Sequence, residues 1–93
     1  MAKGYCELCR KYGEIERHHI FGGTRRAISE KYGAVINLCR SCHNEPPNGA
    51  HFNKERREGL QARGQAMVMH KQGWTKEQFR QTFGKNYIYE EVE

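Results

Sequence analysis

The chain has 93 residues, a formal net charge of +5 and 37% hydrophobic residues. Such a chain forms one domain, residues 1–93, with a small core that usually needs a metal, disulfides or a partner subunit for stability. The first residues contain no apolar run, so we expect neither a signal peptide nor a membrane span, and we expect a cytoplasmic protein.

The sixteen basic residues are spread along the chain, and all eleven acidic residues are glutamate. An excess of positive charge suits a polyanionic partner, above all nucleic acid. Ordinary solubility explains the same charge equally well, so charge alone does not decide between the two.

The first half of the chain predicts two strands. Residues 13–20, GEIERHHI, alternate so that Arg17 and His19 lie on one face and Glu16 and His18 on the other. Two glycines then lead into a basic loop. Residues 27–33 predict a short helical turn, and residues 34–39 predict the second strand.

The second half predicts helices. Residues 50–72 have an imperfect helical pattern, and Gly64 predicts a break or bend because glycine costs about 1 kcal/mol against alanine. Thr75 is a good N-cap that forms a capping box with Gln78, and Gly84 ends that helix. Three aromatic residues of this tail are assigned to the core: Trp74, Phe79 and Phe83. Trp74 is expected to pack against Phe79 as a hydrophobic staple.

The four cysteines form two C-x2-C pairs separated by 29 residues: Cys6 and Cys9, then Cys39 and Cys42. Two-residue spacing allows both thiolates of a pair to reach one tetrahedral ion, and four thiolates close a structural zinc site. In a reducing compartment this is favoured over disulfides or a redox role. The zinc would stabilise the fold and take no part in chemistry, because a closed site has no open position.

Four of the five histidines lie within 34 residues. His18, His43 and His51 are available for a second, open metal site. A single histidine is more often a satisfied core or surface residue than a ligand, and His70, further along the predicted helix, is interpreted that way. The clustering of the others beside the cysteine pairs favours a site.

The motifs CELC, HHI, INLCRSCHN and GAH resemble, in this order, those of the HNH endonucleases, especially small bacterial and phage members with a zinc knuckle pair. The similarity runs from about Tyr5 to Asn53, and the tail GWTKEQFRQTFGKNY is similar to tails of phage and prophage proteins. The resemblance implies an α+β fold of the ββα-metal, treble-clef-like type, with a β-hairpin, a long helix and a C-terminal helix. The nuclease core would span about residues 5–63 and a helical extension about residues 64–89, in a bacterial cell or a phage.

The resemblance also implies a role for each matching residue. His18 would bind the catalytic divalent metal, His19 would be the general base, and Asn37 would orient that base. His43 would be another metal ligand. His51 would complete the site, although the segment NEPPNGA makes its separation from His43 longer than is usual in the family, and Asn44 is the alternative.

The implied activity is hydrolysis of DNA phosphodiester bonds, by nicking or double-strand cleavage, with one metal and a histidine base. An imidazole with a pKa near 6.5 suits a base near neutral pH. The ends would be 5′-phosphate and 3′-hydroxyl by resemblance. A homodimer would suit double-strand cleavage without being required, and phage packaging or recombination proteins are candidate partners.

A site of neutral imidazoles lacks the fixed negative charge that holds a hard ion. We therefore expect Mn²⁺, Ni²⁺ or Co²⁺ to support activity at least as well as Mg²⁺, with Zn²⁺ as a further candidate.

Basic residues around the proposed site would engage the DNA backbone, and no base-reading signature is present, so low sequence specificity is expected. These residues are Arg17, Arg25, Arg26, Arg40, Lys54, Arg56 and Arg57. Two rival interpretations exist: a non-catalytic zinc module that binds DNA or a protein, and a thiol-disulfide enzyme.

Overall fold

Two antiparallel β-hairpins and four α-helices make up the protein, in a computed structural model that describes residues 2–88. In chain order the elements are β1 (Lys3–Tyr5), β2 (Tyr12–Glu14), β3 (Glu16–His19), a 3-10 turn (Gly23–Arg25), α1 (Arg26–Lys31), β4 (Val35–Leu38), α2 (Arg40–Asn44), α3 (Lys54–Gln72) and α4 (Lys76–Phe83). The predicted α+β class is confirmed. Within residues 2–88 no helix has both the length and the apolar character needed to cross a bilayer.

Each hairpin pairs two strands that are separated along the chain by a connecting segment. β1 pairs with β2, with Gly4 opposite Gly13, and β3 pairs with β4, with Arg17 opposite Asn37. The prediction of one strand over residues 13–20 is wrong, because the chain leaves the first hairpin at Glu14 and enters the second at Glu16. The alternation continues across this junction and therefore does not reveal the change of partner.

Aromatic side chains build the centre of the core. The Phe21 ring lies 4.9 Å from the rings of Phe83 and Tyr87 and 5.6 Å from that of Phe79, measured between centroids. Phe79 and Phe83 are fully buried, which confirms their assignment to the core. Trp74 is half-buried and packs edge-on against Tyr32 instead of lying inside the core.

Helix α3 begins later than predicted and contains no break. Asn53 accepts a hydrogen bond from the Arg56 backbone N–H and so caps the helix at Lys54, since residues 50–52 form a turn. The predicted break at Gly64 is wrong, because the helix runs on to Gln72 and this glycine packs against Ile20. The proposed boundary between residues 63 and 64 falls inside this helix, and residue 89, the proposed end of the extension, lies outside the described residues.

The ends of the shorter helices follow the predicted signals. Thr75 and Gln78 form the capping box of α4, and Gly84 ends it with a φ of 83°. Gly33, with a φ of 74°, follows α1 and leads the chain back into β4. Such left-handed backbone conformations favour glycine. The short helix α2 was not predicted, yet it carries the second cysteine pair to its place beside the first.

Candidate metal centres and the adjacent histidines

Four cysteine sulfurs meet where the turn after β1 contacts the end of β4. The Glu7 backbone N–H donates to the Asn37 carbonyl oxygen at 2.9 Å, which holds the two segments together. The sulfurs of Cys6, Cys9, Cys39 and Cys42 all lie within 4.8 Å of one another, and none forms a disulfide. The Cys9 and Cys39 sulfurs are 3.7 Å apart, close to the roughly 3.8 Å edge of a tetrahedron with 2.3 Å Zn–S bonds.

The cysteine cluster has thiols of opposed acidity. Burial raises the pKa of the Cys6 thiol, but donors from the Cys39, Cys9 and Leu8 backbone more than offset this and bring it to about 6. Burial, together with the neighbouring sulfurs, raises the pKa of Cys42 to about 12. The Cys6 thiolate therefore forms readily while Cys42 resists a second negative charge, and a bound cation would stabilise both thiolates. The cluster could hold a metal ion such as zinc.

Three histidines from three different segments form a second cluster. His18 comes from β3, His43 from α2 and His51 from the turn before α3. One ring nitrogen from each lies within 4.8 Å of the others, and the ring centroids are 4.8 to 5.3 Å apart. Burial increases from His51, which is exposed, through His43 to His18, so the cluster opens to solvent on one side.

The donor chemistry of this cluster fits a divalent transition metal. Nδ1 of His18 is buried and is the one buried side-chain polar atom within residues 2–88 that lacks a hydrogen-bond partner. Burial, with the neighbouring imidazoles His43, His51 and His19, lowers the pKa of His18 to about 4. His18 is therefore neutral at neutral pH, which is the form that binds metal.

A carboxylate supports the second histidine of the cluster. Nδ1 of His43 lies 2.8 Å from Oε1 of Glu16, and Nε2 of His43 lies 3.1 Å from Nε2 of His51. In a tetrahedral site with metal–nitrogen distances near 2.1 Å, neighbouring nitrogens are about 3.4 Å apart. The two facing nitrogens are thus already close to the spacing that a shared metal requires.

His19 has different partners from its neighbour His18. Its Nε2 lies 2.8 Å from Oε1 of Glu30 on α1, and Glu30 also accepts hydrogen bonds from the Arg17 guanidinium. The hydrogen bond from Arg17, with a smaller effect from that of His19, lowers the pKa of the Glu30 carboxyl group and keeps this group ionised. Because a carboxylate only accepts, Nε2 of His19 carries the proton of this hydrogen bond, and in the neutral ring Nδ1 then holds the free electron pair.

The two asparagines lie apart from these contacts. Asn37 is exposed and sits opposite Arg17 in the hairpin, with its backbone N–H donating to Glu7. Within residues 2–88 the hydrogen bond of the His19 ring is to Glu30 and not to Asn37. Asn44 is exposed at the end of α2, and His51 is the residue that the structure brings to the histidine cluster.

The proposed DNA-contacting residues differ in the contacts that they already make within the protein. Arg17, Arg40 and Lys54 form ion pairs with glutamates at the surface. Arg25 donates from Nε to the Phe83 carbonyl oxygen and is half-buried. Arg26 and Arg57 form no ion pair with any residue of the described segment, 2–88.

Two glutamates in these contacts were not singled out from the sequence. Glu16 had a usable signal, since it lies two residues before His18 and alternation places both on one strand face. Glu30 had none, because its contact with His19 depends on how α1 docks against the hairpin.

Comparison of the chain with protein-family models, with curated proteins and with solved structures found no match.

Proposed function

We propose that this protein is a metal-dependent endonuclease of the HNH type that hydrolyses DNA phosphodiester bonds. The observation that carries the proposal is the divergence of two adjacent histidines on β3. His18 joins a three-imidazole cluster suited to a divalent ion, while His19 is held by Glu30 with Nδ1 left to accept a proton. A nuclease site of this type uses both a metal position and a base, and β3 would contribute one ligand to the former and provide the latter.

In this proposal the histidine cluster holds the catalytic metal. His18, His43 and His51 supply three nitrogens, and the solvent side of the cluster leaves room for further ligands. A bound divalent ion would polarise a phosphate oxygen and stabilise the charge on the leaving 3′ oxygen. The ββα-metal fold belongs to the same proposal.

His19 is the proposed general base. Glu30 fixes the ring and its tautomer through Nε2, so that Nδ1 can take a proton from the attacking water. Glu30 therefore does in this chain what the family resemblance assigned to Asn37. The attack would leave 5′-phosphate and 3′-hydroxyl ends.

The cysteine cluster is proposed to bind structural zinc. It joins the turn after β1 to the end of β4, the strand that pairs with the histidine-bearing strand. Arg26 and Arg57, with the other basic residues, would bind the DNA backbone without selecting a sequence.

A plasmid-nicking assay tests this function. Supercoiled plasmid is incubated with zinc-loaded protein, with and without added divalent metals and with chelator. We expect H19A to lose about 10²-fold or more in rate, the contribution of a positioned base, while circular dichroism and zinc content stay unchanged.

The matched control is H70A, which makes the same side-chain change at an exposed histidine of α3 outside both clusters. If H19A cuts like H70A, His19 is not the base. If wild-type protein nicks no faster than H19A under any metal, the nuclease proposal is wrong and a zinc-binding interaction module becomes the better interpretation.

A further inference from the structure

Glu16 lies at the back of the histidine cluster, on the side away from the proposed metal. It is the first residue of β3, and its face of the strand is shared with His18. Its side chain is 35% exposed, whereas the His43 side chain that it contacts is 13% exposed. The contact is therefore sheltered, though still within reach of water at one edge.

The contact determines which nitrogen of His43 is available. A carboxylate accepts hydrogen bonds and donates none, so Nδ1 of His43 must carry the proton that bridges the 2.8 Å to Glu16. In the neutral ring Nε2 then has a free electron pair. Nε2 is also the atom that faces His51 at 3.1 Å, inside the cluster.

We propose that Glu16 is a positioning residue that raises the affinity of the histidine cluster for a divalent transition metal; this rests on the proposed function of the cluster. Carboxylate–histidine–metal arrangements hold the ligand tautomer and increase the basicity of the ligating nitrogen. Glu16 also places a carboxyl group next to a site otherwise built of imidazoles.

Metal binding by calorimetry tests the role of Glu16. Ni²⁺ is titrated into zinc-loaded protein, and zinc content is measured before and after to detect displacement from the cysteines. We expect E16A to weaken Ni²⁺ binding by about 10- to 100-fold. E16Q should fall between E16A and wild type, because the amide oxygen still accepts the His43 proton but the charge is lost.

The matched control is the E14A and E14Q pair. Glu14 is an exposed glutamate of the neighbouring strand β2 and lies opposite Lys3, outside both clusters. These variants should bind Ni²⁺ like wild type. Equal affinity in wild type, E16Q and E16A overturns the proposal while leaving the nuclease function standing.

A second readout needs no metal. Imidazole ¹⁵N chemical shifts of the metal-free protein should show His43 protonated on Nδ1 in wild type and in E16Q, and a mixture of tautomers in E16A. If Glu16 only stabilised the fold, E16A would leave the tautomer of His43 unchanged. If wild type shows no Nδ1–H form, the positioning role is wrong; if wild type binds no Ni²⁺ beyond H18A, the cluster is not a metal site and the proposal falls with it.

Discussion

Glu30 holds the ring of His19 through a 2.8 Å hydrogen bond while it is itself held by the Arg17 guanidinium. Arg17 and His19 lie on one face of β3, and Glu30 comes to that face from α1. This chain of contacts separates His19 from its neighbour His18, which belongs to the histidine cluster on the other face.

The first prediction concerns the orientation of the proposed base. E30A should lower the nicking rate at saturating DNA by roughly 10- to 100-fold, a part of the 10²–10⁴ that a positioned base supplies. The rate is compared at saturating DNA because loss of Glu30 also frees Arg17, one of the proposed DNA contacts, and so changes the affinity for DNA. E30Q should recover part of the rate, because its amide oxygen still accepts from Nε2.

The control for E30A is E77A, which breaks the Glu77–Arg80 surface ion pair on α4. If E77A slows nicking as much as E30A does, the loss reflects general surface charge rather than orientation of His19. Single-turnover rates of the three variants at equal DNA occupancy make this comparison.

The second prediction concerns the structural role of the cysteines. C39A, or removal of zinc by a strong chelator, should abolish most of the cooperative unfolding transition, because structural zinc contributes on the order of 10 kcal/mol to folding in small domains. S41A changes an exposed residue between Cys39 and Cys42 and should unfold like wild type. Circular dichroism melts and zinc content are the measurements.

Thiol titration distinguishes the same cluster from a thiol-disulfide enzyme. Zinc-bound thiolates should react slowly with a thiol reagent in the native protein and quickly after chelation. Fast reaction of four thiols in native, zinc-treated protein would contradict the zinc site.

The third prediction concerns metal preference. The three proposed ligands are imidazoles, and Glu16 contacts His43 on Nδ1, the nitrogen that faces away from His51. Imidazole donors favour transition ions, whereas Mg²⁺ prefers oxygen. Nicking with Mn²⁺, Ni²⁺ or Co²⁺ should therefore match or exceed nicking with Mg²⁺, and activity with Mg²⁺ alone would show that the histidine cluster is not the catalytic site.

The fourth prediction separates two adjacent arginines. R25A should lower the free energy of unfolding by about 1–2 kcal/mol, because Arg25 donates to the Phe83 carbonyl at the end of α4 and so joins that helix to the 3-10 turn. R26A should leave stability nearly unchanged. Chemical denaturation of both variants measures the difference.

DNA binding should depend more on Arg26 than on Arg25, because Arg25 already donates to the Phe83 carbonyl. R26A should weaken affinity for all sequences and reduce the slope of log affinity against log salt by about 1, the signature of one phosphate contact. Fluorescence anisotropy with one duplex over a range of salt concentrations provides the slope. An unchanged slope in both R26A and R57A would argue against a backbone-binding role for either residue.

The two clusters and the fold were predictable from the sequence to different degrees. The members of the two clusters could be identified because the spacing of the cysteine pairs, such as Cys6 and Cys9, and the grouping of the histidines carry chemical information without coordinates. The pairing of the strands could not be predicted in this way, because the alternating pattern around Ile15 is the same whether one strand or two is present. Contacts such as Glu30 with His19 depend on helix docking, which local patterns do not encode.

The fifth prediction uses two glycines of α3 that face different surroundings. At Gly64 an added Cβ would lie 2.8 Å from Cγ2 of Ile20 and 3.3 Å from Cε2 of Phe21, whereas at Gly59 it would meet nothing within 4 Å. G64A should therefore destabilise the protein by about 1–3 kcal/mol through overpacking. Ile20 is β-branched and follows His19 directly, so it has little freedom to move away.

G59A should instead stabilise the protein by up to about 1 kcal/mol, the helix propensity difference between glycine and alanine. The opposite signs are the test, because helix propensity alone would stabilise both variants equally. If G64A proves as stable as G59A, the close approach of α3 to the end of β3 is not as the structure has it. Urea denaturation of the two zinc-loaded variants beside wild type measures both effects.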